Sequence, residues 1–361
     1  MAVFNQDIRF THSADGTRLA YAVSGEGYPL VRAAHWLTNI GQDWQTPAWR
    51  PWFDALGARF RLHRYDSRGC GLSDREATGA SLAVLLADLE AVVDAAKLDR
   101  FALLGTSQGG ALSIAYAVKH PQRVSHLVLL GAFARGPLRR NPTPERLASL
   151  EAEIKMIEVG WGQDNPAYRQ LFTNLLFPAA TPEQAHGFND LQRMSCSPRQ
   201  AAQIVSAFSD IDASPYLEHV ACPTLVLHTR GDMCVTFDEG LFMASSIPGA
   251  RLVPLETRNH VPMPGEPSFD RVIEELDNFV GQARAGGAAS DAFPTLTRRE
   301  RQILEHIARG HDNLQIAAHL ELSEKTVRNH ITAVFAKIGA ESRAQAIVQA
   351  REAGLVDEPR R

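Results

Sequence analysis

Short apolar runs alternate with longer stretches whose apolar positions recur every three or four residues, from Ile8 to Leu255. The runs at 8–11 and 17–23 flank the turn dipeptide Asp15-Gly16 and predict a hairpin. Runs at 30–34, 60–65, 101–104, 124–130, 224–229 and 251–255 predict strands. Several are apolar at every position, as strands buried on both faces are. Between them, residues 82–96 place Leu85, Leu86, Leu89, Val92, Val93 and Ala96 at helical intervals. This alternation predicts an α/β fold, a mostly parallel sheet with helices on both faces. Residues 133–216 depart from it and read as helices and loops, so a helical cap over the sheet edge is expected there.

The pattern breaks at 281–294, where Ala285-Gly286-Gly287-Ala288-Ala289-Ser290 has the composition of a flexible linker. It separates a large domain, 1–281, from a small all-α domain, 295–361, with 282–294 between them. In the small domain Thr297-Arg298-Arg299-Glu300 is a capping box that starts a helix at Arg298. Ile303, Leu304 and Ile307 give that helix its apolar face, and Gly310 ends it. Asn313 is expected to cap a second helix through Leu320, and Ser323 a third; two short helices so joined make a helix-turn-helix. At about 100° per residue, Val327, Ile331, Val334, Phe335 and Ile338 share one face of the third helix. Lys325, Arg328, Asn329, Thr332 and Ala336 share the opposite one. Such a polar face suits a DNA major groove, where arginine grips guanine and asparagine grips adenine. Lys325 and Lys337 would hold phosphates, which set register and affinity but not sequence. Periodicity alone fits an amphipathic helix in any small bundle equally well.

Composition changes this picture little. The 361 residues suit a large domain plus a small one, and 45% hydrophobic with 22% charged residues is ordinary for a globular chain. The formal net charge of -4 conceals an asymmetry, since residues 294–361 hold 11 Lys/Arg against 9 Asp/Glu. That excess is too small to argue DNA binding by itself. Cys70, Cys196, Cys222 and Cys234 form no C-x-x-C, and no histidine spacing suits zinc. Reduced thiols, no metal and no cofactor are expected. The N-terminus has neither the basic nor the apolar segment of a signal peptide, and no run reaches the roughly 20 apolar residues of a membrane span. A cytoplasmic protein without membrane partners is expected.

Two constellations carry chemistry. Gly105-Thr106-Ser107-Gln108-Gly109 fits G-x-S-x-G between a strand and a helix, the setting of a nucleophile elbow. A serine hydroxyl needs a histidine to take its proton and a carboxylate to hold that histidine. Asp232 and His260 follow the next two strands in that order, on loops at the carboxyl ends where open α/β sheets bind ligands. Asp238 is the weaker rival acid, better placed to start a surface helix; His35 fits ligand contact and loop packing equally.

With these residues in place, 1–281 resembles the α/β-hydrolase family, and Asp66-Ser67-Arg68-Gly69-Cys70-Gly71-Leu72-Ser73 matches that family's D-x-R-G-x-G-x-S loop, mainly structural there. The resemblance implies an oxyanion hole built from the backbone N–H groups of Gln108 and Trp36. Trp36 stands where glycine is common, so its ring should line or narrow the pocket. The tail resembles the LuxR-type helix-turn-helix over its full length, through Leu296–Glu300, Asn313 with Ile316-Ala317, Ser323–His330, Ile338-Gly339 and Ser342–Ala346. That resemblance implies double-stranded DNA as partner, base-facing Arg328, Asn329 and Thr332 with Lys325, Thr326 and Lys337 beside them, and a homodimer formed through the last helix. Together the resemblances imply a transcriptional regulator whose hydrolase-like domain senses, and turns over, a small ester- or lactone-type molecule. The alternative is a serine hydrolase with an accessory DNA-binding tail.

Overall fold

The computed structural model describes residues 5–77, 79–293, 295–320, 322–353 and 355. They form two compact units, Met1–Asp277 and Asn278–Arg361. In the first, β1 (Asp7–His12), β2 (Arg18–Ser24), β3 (Pro29–Arg32), β4 (Arg61–Tyr65), β5 (Phe101–Thr106), β6 (Val124–Leu130), β7 (Thr224–Thr229) and β8 (Arg251–Leu255) make one sheet in the order β1-β2-β4-β3-β5-β6-β7-β8. β1, β2 and β4 pair antiparallel, and the remaining neighbours pair parallel. All six residues of β5 and of β7 are buried, because helices cover both faces there. Those helices include α1 (Arg50–Gly57), α2 (Leu82–Ala95) and α3 (Gly109–Lys119).

After β6 the chain leaves the sheet to build the expected cap from α4 (Pro144–Gly160), α5 (Ala167–Leu176), α6 (Pro182–Ser195) and α7 (Pro198–Ser209). Its two legs are stitched together by Ala213 N–H to Ala134 O at 2.8 Å and Gly136 N–H to Ile211 O at 2.7 Å. A Cβ at Gly136 would lie 2.3 Å from the Phe208 carbonyl oxygen, so only glycine admits this neck. Inside the cap, Leu150, Ile157, Trp161, Phe172 and Val205 form a core that also takes in Leu37. The buried Arg169 guanidinium satisfies carbonyls of Trp161, Gln163 and Asn189 there.

After the cap come α8 (Phe237–Ser246) and α9 (Pro267–Ala292). α9 continues through the Gly/Ala/Ser stretch whose composition predicts irregular chain, so that stretch is helical. Alanine at 283, 285, 288, 289 and 292 is the best helix former and offsets the Gly286-Gly287 pair. The second unit holds α10 (Arg298–Ala308), α11 (Asn313–Leu320), α12 (Glu324–Ile338) and α13 (Arg343–Glu352). α10 is its hub. Ile303 and Ile307 pack with Ile316, Ala317 and Val327, while Leu304 and Ala308 pack with Val334, Ala346 and Ala350.

The capping box at Thr297 forms, and Ser323 and Ser342 cap α12 and α13. The cap of α11 is Asp312 rather than Asn313: its Oδ1 accepts Gln315 N–H at 2.8 Å, and Gln315 Oε1 accepts Asp312 N–H at 2.9 Å. Asn313 instead accepts a hydrogen bond from Arg343 at 3.1 Å. Among the described residues no helix is long and apolar enough to cross a membrane.

Candidate active site and DNA-facing helix

Ser107 sits between β5 and α3 with φ +52°, a left-handed conformation that costs an L-residue roughly 1–2 kcal/mol. The surrounding glycines admit this turn. A Cβ at Gly105 would meet Gly109 O and Ser113 Oγ at 2.7 Å, and one at Gly110 would meet Ala132 Cβ at 2.4 Å. Ser107 N–H donates to Leu130 O at 3.2 Å, which ties the elbow to the end of β6. Strained serines of this kind cluster at functional sites because the surrounding fold must hold them.

His260 and Asp232 meet as the chain order predicts. His260 Nδ1 lies 2.6 Å from Asp232 Oδ2, with both side chains buried. The other carboxylate oxygen of Asp232 accepts Cys234 N–H at 2.8 Å and Val235 N–H at 2.9 Å. Burial pushes the Asp232 carboxyl up, but His260 and these donors outweigh it and hold the group below its usual range. It therefore stays ionised, and its Oδ2 fixes the proton of His260 on Nδ1. Among the described residues the buried His260 Nε2 has no hydrogen-bond partner, and with the proton on Nδ1 it keeps its lone pair. The rival Asp238 is exposed in the first turn of α8, whereas Asp232 is buried.

Two further residues shape the pair and have no local sequence signature. Gly131 follows β6 at φ +52°, where a Cβ would lie 2.8 Å from His260 O and 3.3 Å from its Cε1. Asn259 accepts Ala179 N–H at 2.9 Å and donates to Glu266, anchoring the histidine loop, while His260 N–H donates to Leu176 O of the cap at 2.7 Å.

The loop after β3 carries the other half of the site. Leu37 adopts φ +59° beside Trp36, at the bend that glycine commonly provides. His35 packs inside this loop: Arg32 donates to its Nε2 at 2.5 Å, and its Nδ1–H donates to Trp36 O at 2.6 Å. Burial and the adjacent Arg32 push its pKa well down, which keeps the ring neutral as that arrangement requires. The backbone N–H groups of Trp36 and Gln108 have no acceptor among the described residues. Asp66 braces the same loop by accepting Ile40 N–H and Leu72 N–H at 2.8 Å each, and burial pushes its pKa up to about 7. Cys70 is a free buried thiol packed in the cap cluster.

Ser107, Gln108 and Trp36 line a cavity of 520 Å³ walled by Phe133, Phe172, Leu176, Val205 and Phe208. Its volume suits a small molecule. The Trp36 ring rests on Trp161, Phe172 and Phe208 with centroids 5.6, 5.9 and 6.4 Å away, so it does wall the pocket. Phe172 and Phe208 thus serve as both cap core and cavity wall, whereas Trp161 belongs to the core alone. Arg140, Arg146 and Glu153 add charged groups to this lining.

In the second unit α12 presents the faces that its periodicity predicts. Val327 and Val334 are buried, while Lys325, Arg328, Asn329, Thr332 and Ala336 are exposed. Among the described residues the Arg328 guanidinium pairs with Glu324 at 3.6 Å, one turn away. Thr326 has its hydroxyl 2.7 Å from Ser323 Oγ in the helix cap. Lys337 Nζ lies 2.9 and 2.7 Å from the two oxygens of Glu300, so it ties α12 to the start of α10.

A family model for bacterial regulatory proteins of the luxR family matches residues 294–350, and one for the alpha/beta hydrolase fold matches residues 39–178. The chain joins an α/β-hydrolase fold to a LuxR-type domain. Its hydrolase unit has several relatives. The 2-hydroxy-6-oxononadienedioate/2-hydroxy-6-oxononatrienedioate hydrolase of Escherichia coli is 29% identical over 255 residues, covering 68% of this chain and 81% of that protein. The esterase EaEST of Exiguobacterium antarcticum superposes with a TM-score of 0.64 at 26% identity, over 75% of this chain and 98% of the esterase. The esterase RhEst1 of Rhodococcus superposes with a TM-score of 0.62 at 25% identity, over 76% of this chain and 98% of the esterase. These relatives align with a share of the chain that the hydrolase unit alone can fill, whereas the LuxR-type domain is matched by its family model.

Proposed function

We propose that this protein is a DNA-binding transcriptional regulator whose α/β-hydrolase unit binds a small, largely apolar acyl compound and cleaves it at Ser107. The observation that carries the reading is the strained Ser107 facing a 520 Å³ apolar cavity, in a unit that also holds a buried His260–Asp232 pair. In the proposed chemistry, His260 Nε2 takes the proton as Ser107 Oγ attacks the acyl carbonyl. Asp232 stabilises the imidazolium, and the developing oxyanion lies against the N–H groups of Gln108 and Trp36. The leaving alkoxide then takes the proton from His260, and water, activated by the same base, releases the acyl group. Esterases among the similar structures support an ester- or lactone-type substrate. With p-nitrophenyl butyrate as probe, Ser107→Ala should lower the rate by on the order of a million-fold. A variant as active as the parent would remove Ser107 from the mechanism.

On the DNA side, the exposed Lys325, Arg328, Asn329 and Thr332 are the proposed groove-facing set, and the LuxR-type match supports that assignment. Arg328→Ala should weaken binding to a duplex selected from a random pool by about 1–3 kcal/mol and relax its preference at one base pair. Unchanged affinity and unchanged preference, measured by fluorescence anisotropy, would show that α12 is not the reading helix. Pairing of two copies through the outer face of α13, where Val348 is half exposed, is part of this proposal. Val348→Asp should then shift the protein toward monomer in sedimentation.

The second reading, a working hydrolase with an accessory DNA-binding tail, draws on the same His260–Asp232 pair, since a pocket that only binds has no need of it. A reporter gene that no ligand switches, with the parent protein present, would favour this second reading; where the parent does switch it, the Ser107→Ala protein shows which event signals. Switching retained on addition of a ligand means that occupancy is the signal, and switching lost means that cleavage is.

A further inference from the structure

Three histidines of the LuxR-type unit come together although they stand five and eight residues apart in sequence. His306 lies in the last turn of α10, His311 in the bend that follows, and His319 in the last turn of α11. Gly310, at φ +86°, reverses the chain, and the Asp312 cap starts α11 in a direction that returns His319 to the other two. The ring centroids lie 5.1, 5.2 and 4.9 Å apart. One nitrogen from each ring falls within 4.8 Å of the others.

The hydrogen bonding of His319 is that of a metal ligand. His319 Nδ1 lies 2.7 Å from Gln315 O, so this nitrogen carries the proton and Nε2 keeps its lone pair. A backbone carbonyl that fixes the tautomer in this way is the usual companion of a ligating histidine. His306 and His311 turn their Nδ1 atoms toward each other at 2.9 Å. Among the described residues no carboxylate bonds to any of the three. Arg343 holds the bend by donating to His311 O and Asn313 Oδ1.

We propose that His306, His311 and His319 bind one divalent transition-metal ion, of the zinc, cobalt, nickel or copper type, that staples α10 to α11. Three imidazole nitrogens select this class over magnesium or calcium. At metal–nitrogen distances of about 2.0–2.1 Å, tetrahedral ligand atoms lie roughly 3.3 Å apart, so the His306 and His311 Nδ1 atoms, now at 2.9 Å, would part slightly while the His319 ring closes in by side-chain rotation. The fourth position falls to water or an exchangeable ligand. Because α12 packs on both α10 and α11, the ion would stabilise the platform on which the DNA-facing helix rests. This inference is independent of the chemistry at Ser107.

The test uses untagged, chelator-stripped full-length protein. Titration with cobalt(II) should give visible ligand-field bands at one equivalent, reversed by zinc(II), with a dissociation constant at or below the micromolar range. His306→Ala and His319→Ala should each weaken binding at least ten-fold. His186→Ala, an exposed histidine of the other unit, should leave it unchanged. Circular dichroism of the exposed-site variant His319→Ala checks that α11 persists. No binding below 100 µM metal, or binding that His306→Ala and His319→Ala leave intact, would overturn the proposal.

Discussion

Gly131 shows how a single atom can bear on the proposed catalysis. Its missing Cβ leaves the space that the His260 ring and carbonyl occupy, and its φ of +52° penalises any other residue. Gly131→Ala should therefore displace the imidazole, and a misplacement of about 1 Å costs on the order of a hundred-fold in rate. The expected outcome is a large fall in kcat with only a modest drop in melting temperature. Unchanged kcat would mean that the ring tolerates the methyl group. Nothing around position 131 in the sequence marks it, because the contact spans more than a hundred residues. Ser107, Asp232 and His260 were legible since each follows a recognisable strand. The left-handed Leu37 was not, since leucine gives no hint of a glycine-like bend.

Among the elements, helix starts were the most readable, because capping is local chemistry: Thr297 and Ser323 both act as their sequence implies. The exception at α11 is instructive. Asp312 and Asn313 are adjacent and both able to cap, and Gln315, three residues after Asp312, decides between them. The tie made by Lys337 was not legible, since its partner Glu300 lies on another helix. That pair makes a pH-dependent brace. Lys337 and Thr297 depress the Glu300 pKa from 4.5 to about 2, so its contribution is complete above about pH 4.5 and is lost as pH falls toward 2. Glu300→Gln keeps the capping geometry and removes the charge. Its melting temperature should fall below the parent's at pH 7, and the gap should close between pH 4.5 and 2. A gap of constant size across that range would assign the loss to packing instead.

For the whole molecule, strand and helix order along 8–255 was readable because buried strands must be apolar on both faces, and it led to the observed eight-stranded sheet. The cap was legible only as a departure from that rhythm, and its neck at Gly136 only in three dimensions. Composition misdescribed 282–292, where alanine outweighs glycine. The central proposal is that occupancy of the hydrolase cavity changes how the LuxR-type unit holds DNA. A fluorophosphonate that modifies Ser107 Oγ would occupy that cavity without knowledge of the natural ligand. The decisive measurement is the affinity of the full-length protein for a selected duplex before and after this modification, with Ser107→Ala treated in parallel. Coupling of ordinary size, about 1–3 kcal/mol, predicts a change of at least five-fold in the parent and none in the variant. Equal affinities for modified and unmodified parent would contradict the proposal that the one unit governs the other.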